Sequence, residues 1–250
     1  NSSIPAPNDL LASPAPEYVQ PTKPAWLKPK TFGIITDYCA PRLPQGFPTM
    51  QCSRLAQADL TAMIEGARIL EKDSYGPKVY LLADGNILKL FRRKRLFSSA
   101  LFRPYSKRFI DNVAQLQQRG IPTLTVLAFF QLAAPGMTAV LYRPLPGETL
   151  RQISNKEGFD WQSNLDPLVA LIRRLHGAGI YFRSLHLGNI VVTPDNEMGL
   201  IDVADMRFLR APLNAELARR NLQHFARYIA REKLNDHFPM RALEQALLAA

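Results

Sequence analysis

A lysine, an asparagine and an aspartate are the side chains of this sequence best suited to bind a ligand. Lys89 stands in the apolar run ILKLF, which indicates a strand. A desolvated ammonium is costly, so Lys89 must face either solvent, the usual case for a lone lysine, or a buried anion. Asn189 and Asp202 flank a predicted strand–turn–strand, which places them at neighbouring ends of a small hairpin. Their amide oxygen and carboxylate are hard ligands that suit a Mg²⁺ ion bridging nucleotide phosphates.

Two motifs surround this pair. HGAGIYFRSLHLGNIVV begins at His176, and GLIDVADMRF begins at Gly199. Two further stretches, GPKVYLLADGNILKLFRRKR and AVLYRPLPGETLRQI, support them. Over residues 53–232 the sequence resembles the lipopolysaccharide core kinase family, within the wider group of small-molecule and protein kinases, and is closest to bacterial toluene tolerance proteins. The resemblance implies an α+β, protein-kinase-like fold of two lobes, a small β-rich N-lobe and a short helical C-lobe.

The resemblance also implies which ligands bind and where. ATP and Mg²⁺ are the expected cofactors, with Lys89 on the α- and β-phosphates and with Asn189 and Asp202 on the metal ion. Arg183 and His186 are expected to assist, His186 near the terminal phosphate. The remaining nucleotide-binding positions are a glycine before the first strand of the hairpin and the connector between the lobes, which are Gly76, Tyr142 and Pro144.

Three positions depart from the kinase pattern. Ser184 replaces the aspartate that accepts the proton of the substrate hydroxyl, a contribution of about 10²–10⁴-fold in rate. Asp205 is a candidate substitute base, with capping of the following turn as the alternative. Asn112 stands where a glutamate usually pairs with the strand lysine. Gly76 is the single glycine at a place where kinases often have three.

Two functions therefore remain open. The first is an ATP-dependent kinase that phosphorylates a sugar, lipopolysaccharide core or other small acceptor in envelope maintenance. The short stretch of chain after Asp202 argues against a protein acceptor. The second is a pseudokinase, a nucleotide-binding regulatory module without phosphoryl transfer. A third alternative uses the kinase-like fold only as the scaffold of a basic adaptor for membrane or nucleic acid.

The chain is strongly basic. Lys and Arg total 31 against 21 Asp and Glu, and the resulting net charge of +10 favours polyanionic partners. Residues 89–108 contain eight cations and no acid, interleaved with phenylalanine and leucine. This stretch is either a solvated face or a patch for anionic lipid or lipopolysaccharide phosphate. No RNA-binding motif or base-stacking array supports nucleic acid as a partner.

No targeting or membrane signal is visible. Cys39 and Cys52 form no metal-ligand or CxxC pattern. There is no signal-peptide pattern, and no apolar run approaches the roughly 20 residues of a membrane span. We expect a cytoplasmic protein, with peripheral attachment at the inner membrane as a further expectation from the basic stretch.

The chain divides into three predicted parts. Ten of the twenty prolines fall between Pro5 and Pro48, so residues 1–49 are expected to be a disordered extension. Residues 50–143 are predicted to form the N-lobe and residues 144–250 the C-lobe. Asp84-Gly85 predicts a hairpin turn. The predicted strands are 78–83, 86–91, 124–132, 137–142, 188–192 and 198–202, and the predicted helices are about 55–65, 107–119, 165–176, 214–233 and 241–248.

Overall fold

The structure is a computed structural model that describes residues 51–92 and 104–248. Within those ranges the fold is mixed α+β, as predicted, with a β-rich first half and a helical second half. The strands are β1 Cys52–Leu55, β2 Arg68–Asp73, β3 Gly76–Leu81, β4 Ile87–Arg92, β5 Thr125–Leu132, β6 Met137–Arg143, β7 Glu148–Thr149, β8 Ile180–Phe182, β9 Ile190–Val192, β10 Met198–Leu200 and β11 Met206–Phe208. The helices are α1 Gln57–Ile64, α2 Tyr105–Gln118, α3 Leu150–Ile153, α4 Trp161–Gly177, α5 Ala215–Arg231 and α6 Met240–Leu248.

The first half is a six-stranded sheet in the order β1-β5-β6-β4-β3-β2. Its strands β3 and β4 are joined at Asp84-Gly85, where Asn86 donates its backbone N–H to the Asp84 carboxylate at 2.9 Å. In this register Lys89 lies between Val79 of β3 and Val140 of β6. Because β4 is an interior strand and Phe109 of α2 packs against Phe91, the lysine that the sequence places there is held inside the protein.

The second half packs α4 and α5 around two small sheets. The sheets have the orders β10-β9-β7 and β11-β8. Helix α4 begins where the Asp160 carboxylate accepts the N–H groups of Gln162 and Ser163, a typical N-cap. Its buried stripe joins α2, β6 and α5 in one apolar cluster that includes Phe109, Leu168, Ile172, Leu175, Phe182 and Phe225. This cluster lies beneath the hairpin of β9 and β10.

A short strap links the two halves directly. Thr123, just before β5, donates its hydroxyl to the Leu200 carbonyl at 2.7 Å, and Leu200 N–H donates to the Pro122 carbonyl at 2.9 Å. Gly199 makes this approach feasible, because a Cβ there would lie 2.5 Å from the Pro122 carbonyl oxygen. The end of β10 is thereby fixed against the sheet half.

Most predicted elements are confirmed, with shifted ends. The predicted strand 188–192 begins only at Ile190, because residues 187–189 form a 3₁₀ turn that the His186 side chain caps at Gly188 N–H. The predicted strand 198–202 ends at Leu200, and Asp202 lies beyond it. Five strands were not predicted: β1, β2, β7, β8 and β11. Leu55, predicted in a helix, lies in β1.

Part of the predicted organisation falls outside the described residues. This holds for the proline-rich extension 1–49, for Cys39 and for residues 93–103 of the basic stretch. Within the described ranges, none of the helices has the length and apolar character needed to cross a bilayer.

Candidate functional site

Lys89 is a buried cation with one carboxylate partner. The residue is 9% exposed, and its Nζ lies 2.5 Å from Asp202 Oδ1. The rings of Phe91 and Phe109 lie 5.8 and 5.5 Å from Nζ, within range of a cation–π interaction. Of the two outcomes open for Lys89, solvent or an anion, the structure shows the anion. That anion belongs to the other half of the molecule.

Asp202 presents its carboxylate to the lysine from a left-handed backbone. Its φ is 51°, a region that aspartate tolerates better than most residues. The side chain is 49% exposed, so one face of the ion pair is open to water. The following 3₁₀ turn, Val203–Asp205, is held from α2, where buried Asn112 donates to the Val203 carbonyl at 2.7 Å. Asn112 therefore positions the turn and does not pair with Lys89.

Asn189 is oriented so that its amide oxygen is available. Its Nδ2 donates to the Ser184 carbonyl at 2.9 Å, and because that partner can only accept, the amide orientation is fixed. Its backbone carbonyl accepts Ile201 N–H at 3.0 Å, which ties residue 189 to the chain just before Asp202. The Asn189 Oδ1 and the Asp202 carboxylate are thus the two oxygen donors of this site.

These donors fit a Mg²⁺ ion that also takes phosphate oxygens. No group of three or more His, Cys, Asp or Glu side chains arranged to hold a metal occurs in residues 51–92 and 104–248. A cage made only of such side chains is therefore absent from that part of the chain. Mg²⁺ is usually bound by one or two protein ligands together with water and substrate phosphates, so Asn189 and Asp202 suffice in number and type.

His186 is a neutral ring next to Asn189, one of the two residues that supply oxygen donors. It stacks on Tyr228 with the ring centroids 4.3 Å apart, and burial, with the charge of Arg231 adding to it, lowers the pKa of His186. Gly188 N–H donates to Nδ1, so the neutral ring carries its proton on Nε2. That nitrogen is 3.2 Å from Asn189 Nδ2. Two donors face each other there, and a shared acceptor such as an anionic oxygen would satisfy both.

Ser184 and Asp205 form a second polar pair. Ser184 Oγ donates to Asp205 Oδ2 at 2.5 Å, and Arg183 Nε lies 3.6 Å from the same oxygen. The Asp205 side chain is 16% exposed, and its Oδ1 is buried with no hydrogen-bond partner among the described residues. The hydrogen bond that Asp205 accepts there comes from a side chain and not from the backbone of the following turn.

The remaining nucleotide candidates occupy distinct places. Gly76 begins β3 with φ of +105°, a backbone that glycine adopts readily, and open space surrounds its Cα. Tyr142 is core: its ring packs 5.6 Å from Phe109, and burial raises its pKa above the usual range, with Asp202 adding to the effect. Pro144 is half-buried just after β6. In the sheet Tyr142 lies opposite Ile87 of β4 and Val126 of β5, so its backbone as well as its ring is inside the sheet half.

Two histidines of the helical half have hydrogen-bond partners that the sequence did not predict. His224 bonds Tyr181 through Nε2 at 3.0 Å and Arg227 through Nδ1 at 2.7 Å. His176 Nε2 lies 3.0 Å from Asn221 Oδ1, and Asn221 Nδ2 donates to the Phe182 carbonyl at 2.6 Å. A spacing of three residues between His224 and Arg227 on one helix was the available signal.

The basic stretch is partly used inside the protein. Arg92 donates to Asp73 at 3.0 Å and to the Pro77 carbonyl at 2.8 Å, which braces the β2–β3 hairpin. Lys89 is paired with Asp202. Two of the eight cations read as one surface face are therefore engaged in internal contacts, because β4 runs through the sheet interior rather than along its edge.

A separate cavity of about 240 Å³ lies in the helical half. None of the predicted site residues lines it. Its walls are Ser154, Asn155, Trp161, Leu234, His237 and Phe238.

Comparison of the sequence with protein-family models gave no match, and comparison with curated proteins gave none either.

Proposed function

We propose that this chain is an ATP- and Mg²⁺-binding protein of kinase-like, two-lobed fold, which transfers a phosphoryl group to a sugar, lipopolysaccharide core or other small acceptor in envelope maintenance. The observation that carries the proposal is the meeting of Lys89 and Asp202 at 2.5 Å, with Asn189 tied to the same turn. The two ends of this contact are 113 positions apart along the chain. The Lys89 ammonium is the kind of group that binds phosphate oxygens, and the Asp202 carboxylate is the kind that binds a metal ion.

The order of elements supports the same proposal. A β-hairpin carries the lysine, a helix lies behind it, and a short connector after β6 leads to a helical half with the ligand-bearing hairpin. This is the arrangement by which kinases bring phosphate-binding and metal-binding groups together. The resemblance of the motifs at His176 and Gly199 to lipopolysaccharide core kinases supports this choice of acceptor class.

The chain's own residues have separate tasks in this proposal. Lys89 would contact phosphate oxygens, and the Asp202 carboxylate with Asn189 Oδ1 would hold Mg²⁺. The metal ion, when bound, would neutralise charge on the phosphates. His186 Nε2–H would donate to a terminal phosphate oxygen, an acceptor that would also satisfy the facing Asn189 donor. Positioning and charge neutralisation supply much of phosphoryl-transfer catalysis, and these residues provide both.

Nucleotide binding is tested by stabilisation against unfolding. Mg²⁺-ATP at 100 times its Kd should add about 2.7 kcal/mol to wild type, and ATP with EDTA should add less. Asp202→Ala and Lys89→Met should lose this gain. Asp195→Ala, which removes an exposed carboxylate in the β9–β10 turn, is the matched control and should keep it. Equal stabilisation of wild type and Asp202→Ala would overturn the proposed site.

Phosphoryl transfer needs its own assay. ADP release should rise when deacylated lipopolysaccharide core is added to the Mg²⁺-ATP complex. A chain that binds Mg²⁺-ATP yet releases no ADP with this or other envelope sugars would reject the transferase and leave the nucleotide site intact.

A pseudokinase is the second candidate, and two observations favour it. Ser184 stands at the position of the usual base, and the amide of Asn112 is bound to the Val203 carbonyl. The ion pair of Lys89 is with Asp202. A regulatory module predicts that Mg²⁺-ATP shifts the conformation, seen as changed protease sensitivity, while a variant defective only in ADP release keeps its biological role.

Location and membrane contact remain proposals as well. We place the protein in the cytoplasm, peripheral at the inner membrane through residues 93–95, 103, 107 and 108 of the basic stretch. Salt-sensitive binding to vesicles containing anionic phospholipid is the expected result. Binding that persists unchanged when residues 93–95 are neutralised would contradict it.

A further inference from the structure

The strongest unexplained feature near the proposed site is the pairing of Ser184 with Asp205. The distance of 2.5 Å is that of a hydrogen bond from a hydroxyl to a charged carboxylate. An ionised carboxylate can only accept, so Ser184 must be the donor. The Ser184 oxygen keeps its lone pairs, and it can accept a hydrogen bond from another hydroxyl at the same time.

Asp205 is set up unlike a structural aspartate. Its Oδ1 is buried and lacks a donor among the described residues, a costly condition that is rare outside functional sites. Arg183 Nε lies 3.6 Å from Oδ2, and that side chain is 65% exposed. The Asp205 carboxylate is therefore held by one short hydrogen bond and one loose ion pair, with one oxygen left over.

Both members of the pair are connected to the proposed metal site. The Ser184 carbonyl accepts Asn189 Nδ2 at 2.9 Å. Asp205 ends the 3₁₀ turn that follows Asp202, and Asn112 anchors that turn from α2. The pair is therefore linked to Asn189 by a hydrogen bond and to Asp202 by this short turn.

We infer that Ser184 and Asp205 together replace the missing catalytic base, with the serine hydroxyl relaying a proton from the acceptor to Asp205. The inference rests on the proposed kinase function. The acceptor oxygen forms a bond to the γ-phosphorus of ATP as the bond from that phosphorus to the β,γ-bridging oxygen breaks, and ADP leaves with the electron pair. The acceptor proton moves to Ser184 Oγ, and the Ser184 proton moves to Asp205 Oδ2. Asp205 later returns its proton to water.

The relay makes a distinctive prediction for an aspartate at residue 184. Ser184→Asp would put an aspartate back at the position of the usual base. Its carboxylate, however, would lie within hydrogen-bond distance of the Asp205 carboxylate. Two carboxylates so close cannot both ionise readily, so one would hold a proton. Ser184→Asp should therefore be no faster than wild type, whereas Ser184→Asp with Asp205→Asn should recover activity.

The test uses Mg²⁺-ATP with water as acceptor, measured as ADP release, because water can be supplied without knowing the natural acceptor. Asp205→Asn and Ser184→Ala should each lower kcat about 10²-fold, the usual scale for loss of a base, with KM for ATP unchanged. The combination of Ser184→Ala with Asp205→Asn should be no slower than either of these single variants, because the two residues act as one unit. Ser184→Thr keeps the hydroxyl and should stay within about tenfold of wild type. Asp195→Asn is the matched control.

The combined variants separate the relay from two independent structural roles. Multiplicative losses in Ser184→Ala with Asp205→Asn, full activity of Ser184→Ala, or failure of Ser184→Asp with Asp205→Asn to exceed Ser184→Asp would each overturn the relay.

Binding of Mg²⁺-ATP, followed by thermal stabilisation, distinguishes the two levels of the proposal. Retained stabilisation in slow Ser184→Ala supports the relay and shows that the variant folds. If wild type binds Mg²⁺-ATP but releases no ADP with either water or lipopolysaccharide core as acceptor, the relay is overturned and the proposed nucleotide site stands. A chain that binds no Mg²⁺-ATP overturns the kinase function and the relay with it.

Discussion

Removing either partner of the Lys89–Asp202 ion pair should have very different effects on the stability of the ligand-free protein. The Lys89 side chain is 11% exposed and that of Asp202 is 49% exposed. Asp202→Ala leaves a buried ammonium without its counter-charge. Lys89→Met removes the buried charge, keeps an unbranched apolar chain between Phe91 and Phe109, and leaves a carboxylate that water already reaches. We expect Asp202→Ala to destabilise the protein and Lys89→Met to leave it near wild type.

The magnitude follows from the burial of the two groups. Stranding one charge of a fully buried pair costs about 3–5 kcal/mol. Water at the open face of Asp202 can reach the cavity left by its removal, so we expect the loss in Asp202→Ala to be about 2 kcal/mol. For a chain of this size about 1 kcal/mol changes Tm by about 2–4 °C, which places Asp202→Ala about 4–8 °C below wild type. Lys89→Met should remain within about 1 kcal/mol of wild type, because apolar replacement of a buried charge is often neutral.

The assay is thermal and urea unfolding of four chains without nucleotide: wild type, both single variants and the double variant. In the double variant no ammonium is stranded, so it should be more stable than Asp202→Ala alone. The reasoning is refuted if Lys89→Met loses as much as Asp202→Ala, or if the losses add in the double variant.

Three further perturbations test the supports of the site. Asn112→Leu keeps the volume but removes one of the two donors to the Val203 carbonyl, which also accepts Met206 N–H, and should cost about 0.5–1.5 kcal/mol in urea unfolding; an unchanged midpoint would mean that the bond is dispensable. Gly199→Ala brings a Cβ to 2.5 Å from the Pro122 carbonyl oxygen and should cost about 1–3 kcal/mol, whereas Gly66→Ala, a control with open space but φ of +68°, should cost only its backbone strain; equal losses would contradict the packing argument. Burial holds the pKa of His176 below its usual value of 6.5, so the unfolded chain takes up more protons below that pH. Stability from this residue is then complete above about pH 6.5 and declines as the pH falls, and His176→Gln should flatten the decline between pH 7.5 and 5.5; the same slope in both chains would contradict it.

Local signals explain why much of the fold could be predicted. Asp84 and Gly85 determine the β3–β4 turn through a side-chain bond and a positive φ, both of which depend only on neighbouring residues. Gly120 ends α2 in the same way, with φ of +62°. Such features are visible in sequence because the residue type and the backbone shape are directly linked.

The missed strands depend on partners far along the chain. β1 pairs in parallel with β5, a register that no local pattern specifies. β2 is an edge strand whose residues are mostly exposed, and irregular pairing with β3 interrupts its alternation. β8 and β11 have three residues each, too few to show a period.

In the candidate site, too, the features that depend on residue type and order could be predicted, and those that depend on the folded backbone could not. The convergence of Lys89 with Asp202 was predicted from residue type and order, and the structure brings them together. The pairing of Ser184 with Asp205 depends on the left-handed backbone of Asp202 and on the 3₁₀ turn that follows it. The residue types predict neither feature. From the sequence, Asn112 was noted only as a replacement for the usual glutamate. The structure shows that its amide donates a hydrogen bond to the Val203 carbonyl.

The strap between Thr123 and Leu200 is one of several direct links between the sheet half and the helical half. The bond from Asn112 to the Val203 carbonyl is another, and it lies on the other side of Asp202 from the strap. The backbone that carries Asp202 is thus fastened to the sheet half both before and after this residue. A ligand that separates Lys89 from Asp202 without breaking these bonds has to do so by moving the two side chains.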